Sequence, residues 1–191
     1  MPLSKDHKAR TRARIVDSAR RLFKTRGYER VGIDAIMADA GLTRGGFYAH
    51  FSSKEDLFAE AVGEVVMKAG LEHHRNEGAP EPGDWRQQVV DYYLSREHRD
   101  HRNGGCPMAA LSADVAHTAG PVREVYTNVF LDLVDALAER MPPDNPNPRE
   151  AALATVAQCV GSMVIARAVA NEELADEVFA AGRAATRRIA D

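Results

Sequence analysis

The chain is poor in aromatic residues and nearly free of cysteine. Of its 191 residues only 6% are Phe, Trp or Tyr, one of them a tryptophan, and the only cysteines are Cys106 and Cys159. Two thiols cannot make a disulfide scaffold, and their presence fits a reducing cytosol. The opening stretch MPLSKDHKARTRAR has basic residues with no apolar run behind them, so no secretion signal is expected. No alternating apolar–polar stretch, internal repeat or low-complexity tract occurs, which leaves an all-α fold. The patterns GxSxG, CxxC and HExxH, a glycine-rich phosphate loop and a locally spaced Cys–His pair are all missing. The sequence therefore offers no catalytic residue and no cofactor motif. With 45% hydrophobic residues and a net charge of only −3, it can bury a core and is not expected to be disordered along its length.

The small net charge conceals an asymmetry. Residues 1–55 hold twelve Lys/Arg against six Asp/Glu, and the rest of the chain holds thirteen against twenty-two. A basic first quarter on an acidic body points to a polyanion-binding unit at residues 1–55, with a second unit at 56–191. A merely solvated basic helix explains the charge equally well.

Helical periodicity predicts about nine helices. The first runs from Lys8 to Arg26. It places Ile15, Ala19, Leu22 and Phe23 on one face, with Arg12, Arg14, Arg20, Arg21 and Lys24 off it. Gly27 supplies a stop. A short helix fits Ile33–Ala40 between Gly32 and Gly41, and Thr43 is positioned to cap another over Arg44–His50. Ser52 and Ser53, with Glu55 and Asp56, read as a capping box that opens a long helix to about Arg75. Further helices are expected from Asp84, from Pro107 to Val115, from Gly120-Pro121 to Met141, from Asn147-Pro148 to Ala170, and after Asn171. Residues 78–83 and 99–105 read as loops. The stretch Ala151–Ala170 has Arg167 as its only charge, but it is barely long enough to span a bilayer and is Ala-rich. A helix buried on several sides explains it, and no membrane association is expected.

Short helix, glycine turn, short helix over residues 33–50 is the helix-turn-helix pattern, with Ala38, Gly41, Leu42 and Phe47 at its inner joint. Tyr48, His50 and Lys54 place a hydroxyl, a ring N–H and an ammonium within two turns of one helix end, all donors suited to phosphate. The segment ARIVDSARRLFKTRGYERVGIDAIMADAGLTRGGFYAHFSSKEDLF resembles the N-terminal DNA-binding domain of the tetracycline-repressor (TetR) family of bacterial transcription regulators. That resemblance implies a homodimer that binds a double-stranded operator as a repressor and is released by a small-molecule inducer. By motif position Tyr48, His50 and Lys54 would contact phosphates. Thr43, Arg44, Gly45, Gly46 and Phe47 would face the groove, where Arg44 suits guanine. Two departures stand out: Val31-Gly32 replaces the Ser/Thr cap frequent in that family, and the recognition helix carries Gly45-Gly46.

Beyond the motif, the last two helices have broad apolar faces suited to a four-helix bundle across a two-fold axis. The interface expected there is Val156, Val160, Leu174, Val178, Ala181 and Ala185. Met67, Leu71, Trp85, Tyr92, Tyr93, Cys106, Met108, Phe130 and Met163 are candidate walls of a ligand pocket, or simple core fillers. Histidines 73, 74, 98 and 101 with Cys106 lack metal-site spacing, and no metal is expected. Cys106, just before Pro107, falls at a helix N-cap that favours thiolate, so a thiol-based electrophile or oxidant sensor is an alternative. A small all-α enzyme or an adaptor is a further one.

Overall fold

The computed structural model describes residues 5–63, 82–101, 106–118 and 120–190. Among these residues it is all helical, with ten helices: α1 (Lys5–Arg26), α2 (Ile33–Asp39), the single 3-10 segment α3 (Arg44–Ala49), α4 (Lys54–Gly63), α5 (Pro82–Tyr93), α6 (Arg96–Asp100), α7 (Pro107–Ala116), α8 (Pro121–Ala138), α9 (Pro148–Ala168) and α10 (Glu172–Ala190). The expected continuation of α4 to Arg75 lies outside the described residues. Two expectations need correcting. The helix expected from Asp84 begins at Pro82, and the expected loop at 99–105 overlaps the last two residues of a short helix that was not expected, because α6 occupies 96–100. Helix α6 has no apolar period to announce it; its signal is local, with Ser95 Oγ accepting the His98 N–H at 3.2 Å.

By packing, the chain divides into two compact units, Met1–Glu64 with Ala110–Asn128, and Val65–Ala109 with Val129–Asp191. The first is built on α1. Its face of Ile15, Ala19, Leu22 and Phe23 is buried, as the periodicity requires. Around it lie Ile36, Met37, Phe47, Phe51, Leu57 and Phe58, with Leu111, Val115 and Val122 from the later segment. Gly27 and Gly41 both have positive φ, 81° and 67°. The Gly27 N–H returns to the Phe23 carbonyl at 2.8 Å, ending α1 in a left-handed turn that a Cβ would strain. The joint between α2 and α3 differs from expectation in one residue: Ala38 is exposed, and Ile36 and Met37 point inward instead. Ser53 Oγ accepts the Asp56 N–H at 3.0 Å, and the Asp56 carboxylate reaches back to the Ser52 N–H at 3.0 Å, so the predicted capping box opens α4.

The second unit rests on α9 packed along α10. The buried stripe of α10 is Ala175, Phe179, Gly182 and Thr186, at helical intervals. Asn171 Oδ1 caps α10 through the Leu174 N–H at 3.1 Å. Charge completes the packing: Arg99 meets Glu172 at 2.8 Å, Arg96 pairs with Asp176, and buried Arg86 donates to the Thr186 carbonyl at 2.7 Å. Helix α9 is long and apolar enough to cross a membrane by length and composition, and 44% of its apolar window is buried inside the protein.

Gly182 marks the closest approach of α10 to its neighbours. A Cβ there would lie 2.7 Å from Ser162 Oγ, 2.9 Å from Leu94 Cδ1 and 3.3 Å from Ser162 Cβ. Helix propensity favours alanine over glycine by about 1 kcal/mol, and overpacking costs about 1–3 kcal/mol. Because Leu94 is fully buried and Ser162 lies on a packed helix, overpacking wins. Gly182→Ala should lower stability by about 1–2 kcal/mol, read as a lower urea midpoint at unchanged slope.

Candidate nucleic-acid interface

Phe47 is the residue from which the helix-turn-helix takes its shape. It is fully buried, against Phe51 at a ring separation of 5.7 Å. This corrects the expectation that its side chain faces a groove; the joint position expected of it is the one it occupies. With Phe47 inward, the neighbouring residues of α3 turn outward. Tyr48 is 64% exposed, its ring set edge-on to Phe47 at 5.2 Å. Thr43, Arg44 and Gly45 are exposed on the same short segment. Thr43 occupies the N-cap position, but its hydroxyl makes no capping bond, contrary to expectation; only its carbonyl is used, by the Gly46 N–H at 3.0 Å.

Nothing in the fold demands glycine at 45 or 46. Neither has positive φ, a Cβ on Gly45 would meet nothing within 4 Å, and one on Gly46 would meet only Met37 Cε at 3.6 Å. The result is a stretch of bare, accessible backbone flanked by Arg44 and Tyr48. Arg44 is held across the turn by Asp34 at 2.8 Å, in an exposed pair that contributes little to stability. Lys54 Nζ sits 4.0 Å from the centroid of the Tyr28 ring, which itself stacks on Phe58 at 4.4 Å.

Several basic residues of α1 are engaged within the unit. Arg12 donates to the His50 carbonyl, pairs with Glu60 and lies 4.0 Å over the Phe51 ring; Arg14 donates to the Ala40 carbonyl; Arg21 pairs with Asp39. The charge excess seen in the sequence is thus partly internal, clamping α1 to the helix-turn-helix. His50 is half-buried and its Nδ1 has no hydrogen-bond partner. Desolvation, reinforced by Lys8, Arg12 and His7, lowers its pKa below the ordinary 6.5, so the imidazole is neutral at pH 7. The start of α4 is not a bare anion site, because Ser53 fills one N–H and Glu55 and Asp56 already offset the helix dipole.

The second unit holds a cleft of about 380 Å³, part of it open to solvent. Tyr93, Cys106 and Met108, expected in a pocket, line it, together with Val89, Val90, Leu133 and Leu137. The remaining walls come from α9: Thr155, Val156, Cys159 and Val160. This corrects the dimer-face assignment of Val156, which is buried at the cleft, and places half-buried Val160 beside it. The outward apolar residues are instead Leu153, Val164 and Ile165 on α9, with Leu174 and Ala181 on α10; Val178 and Ala185 are half-buried. Helix α9 is apolar nearly all round, so its sequence does not reveal which side faces in.

Other pocket expectations fare differently. Tyr92 is 40% exposed and turned away, one helical step from Tyr93. Met163 is fully buried in the core with Phe179 and Leu94, and Phe130 is half-buried without lining the cleft. Met67 and Leu71 lie outside the described residues, as does the side chain of Trp85. Among the described residues no cluster of His, Cys, Asp and Glu is arranged for a metal; His73 and His74 are outside them, and His101 is exposed. His98, singled out in the sequence only among histidines without metal-site spacing, is buried. Its Nδ1 lies 2.8 Å from the Tyr93 carbonyl, and its Nε2 accepts the Cys106 N–H at 3.1 Å. Those two partners require a neutral ring protonated on Nδ1. The signal available in the sequence was Ser95 three residues before it, a capping pattern.

Both thiols are buried at this cleft. Burial, with Cys106 adding to it, pushes the Cys159 thiol up to about 12.

Residues 15–61 match the family model for bacterial regulatory proteins of the tetR family. The chain is 33% identical over 124 residues to the uncharacterized HTH-type transcriptional regulator YfiR of Bacillus subtilis, covering 65% of this chain and 53% of that protein. It is 32% identical over 123 residues to the HTH-type transcriptional repressor Rv1474c of Mycobacterium tuberculosis, covering 60% and 65% respectively. These matches span between half and two-thirds of the relatives' own length. Among solved structures, SCO4454, a TetR-family transcriptional regulator from Streptomyces coelicolor, superposes with a TM-score of 0.73 at 24% identity, over 96% of this chain and 97% of that one. At that identity the likeness speaks for the fold.

The raised Cys159 pKa has a direct consequence. At pH 8 the raised pKa leaves Cys159 almost wholly protonated, and the thiolate is the reactive form. Cys159 should therefore resist iodoacetamide at pH 8 until the protein unfolds, as followed by mass spectrometry of the labelled peptide. Rapid labelling of the native protein at Cys159 would contradict the buried placement.

Proposed function

We propose that the chain is a member of the tetR family of bacterial regulatory proteins, as the match of residues 15–61 supports, and that it is a homodimeric transcriptional repressor released from its operator by a small molecule. The observation that carries the reading is the outward surface of α3, where Arg44, bare Gly45-Gly46 and Tyr48 lie side by side on a segment anchored by Phe47. Side chains and backbone of this kind suit close approach to a major groove: Arg44 for guanine, Tyr48 and Lys54 for phosphates, and Thr43 with its uncapped hydroxyl for either. His50 contributes a neutral ring N–H. The reading head is residues 1–55, the regulatory body residues 56–191, and the site of action the cytoplasm. No catalytic role is proposed.

A dimer is needed because one short helix reads too few base pairs for a specific operator, and a two-fold axis doubles the site. The outward apolar residues of α9 and α10 provide the face: Leu153, Val164, Ile165 and Leu174, with Val178, Ala181 and Ala185 alongside. The cleft of the second unit is the effector site in this reading. The thiol-sensor alternative is weaker on this geometry, because Cys106 is 3% exposed and the Nε2 of His98 accepts the Cys106 backbone N–H rather than serving the thiol.

Duplex fragments selected by the protein from its own genome should contain a pseudo-palindrome. If each subunit neutralises about five phosphates, log affinity should fall with log salt at a slope of about −9 per dimer. Tyr48→Phe and Lys54→Ala should weaken all duplexes alike, and Arg44→Ala should also relax sequence preference, by about 1–3 kcal/mol at the base it reads. Affinity independent of salt would remove the assignment.

The dimer face has its own test. Leu174→Asp and Ile165→Asp change residues that are already exposed in the monomer, so folding should be intact while association is lost. Sedimentation should then show monomers with native helical content and operator affinity reduced at least a hundredfold. Fully dimeric variants would place the interface elsewhere.

A further inference from the structure

We propose that Asp34 is a positioning residue of the reading head: it holds the Arg44 guanidinium by Nη1, so that the Nε–Nη2 edge stays free to pair with one guanine. The inference rests on the duplex-binding reading of the first unit and assigns a source for its sequence preference.

Asp34 lies in the first turn of α2, and Arg44 opens α3 beyond the Gly41 turn. Arg44 Nη1 donates to Asp34 Oδ2 at 2.8 Å, and the two side chains are 67% and 65% exposed. So exposed a pair contributes little to folding, and the two helices are already joined beneath it by buried Ile36, Met37 and Phe47. What the pair does fix is the direction of a long side chain. Gly45 and Gly46 offer Arg44 nothing on its own segment to lean on. An unrestrained arginine loses rotamer freedom when a base fixes it, and Asp34 removes part of that loss in advance. Other acids of the unit are used differently: Asp39 pairs with Arg21 and Glu60 with Arg12, both on α1. Asp34 is given instead to the outward segment.

The atom used is the one that leaves the reading edge whole. A guanidinium carries its N–H donors in a planar fork. With Nη1 turned to Asp34, Nε and Nη2 remain along one edge, as two parallel donors matched to O6 and N7 of guanine. The carboxylate also acts on the wrong partner. A phosphate approaching Arg44 meets the Asp34 charge as well, and like charges repel. The pair thus favours the bidentate base contact and weakens sequence-independent binding, and discrimination gains on both counts. An acidic side chain in the first turn of α2 also suits the helix dipole, but that role alone predicts neither effect.

The test uses the full-length protein and a duplex that it selects from a randomised pool. Affinity is compared at one salt concentration with the scrambled form of that duplex and with forms in which single G·C pairs become A·T. Asp34→Asn keeps the side chain's shape and removes its charge. It should bind the scrambled duplex about threefold tighter. Its preference for the selected duplex should fall by about fivefold or more, with the loss confined to one G·C pair in each half-site. In an Arg44→Ala background the same change should leave the preference unaltered, which a purely structural role for Asp34 would not produce. Helical content and urea midpoint should show each variant folded. A preference in Asp34→Asn that is undiminished or increased, or that falls equally when Arg44 is absent, would overturn the proposal while leaving the duplex-binding reading in place. A wild-type protein that selects no duplex would remove that reading, and the proposal with it.

Discussion

The complete burial of one aromatic side chain, Phe47, governs how the first unit presents itself. A six-residue 3-10 segment has too few backbone hydrogen bonds to hold its own orientation. Its direction is set by what it buries, and with Phe47 locked beside Phe51 the segment has a single rotational setting. Arg44, Gly45 and Tyr48 are outward as a consequence. The arginines of α1 reinforce this placement from below, Arg12 by holding the His50 carbonyl and Arg14 by holding the Ala40 carbonyl. The surface proposed to read DNA is therefore the reverse side of an aromatic core, and its precision derives from that core.

In the second unit a comparable role falls to His98. Its two ring nitrogens tie the Tyr93 carbonyl to the Cys106 backbone, joining the end of α5 to the residue before α7. Both of the residues it holds line the cleft. The cleft is thereby given a fixed wall by a group that does not enter it. Polar economy elsewhere in the unit is strict: buried Arg86 and Arg99 both find oxygen partners.

Some of this was legible in the order of residues alone. The apolar spacing of α1, Gly27 as its stop, the Ser53–Asp56 box, Pro107 and Pro148 at helix starts, and Asn171 before α10 depend on local sequence. Local backbone geometry follows local sequence, because capping and left-handed turns are satisfied within four residues. The helix-turn-helix was legible for the same reason: its glycine turn and short helices are local features, and residues 15–61 carry them without help from the remainder.

Which way a helix faces was not local. Val156 and Tyr92 were misassigned because α9 is apolar on nearly every side and α5 carries adjacent aromatics, so periodicity leaves the inward direction undetermined; only the partner helices decide it. The same holds for Phe47, which sits in a motif suited equally to groove and joint until the surrounding core claims it. Burial of His98, its neutral tautomer and the raised Cys159 pKa are products of tertiary packing. The sequence determined most helix boundaries and the helix-turn-helix; the fold alone decided which side chains were left facing solvent or a cleft, because those depend on contacts between residues far apart in the chain.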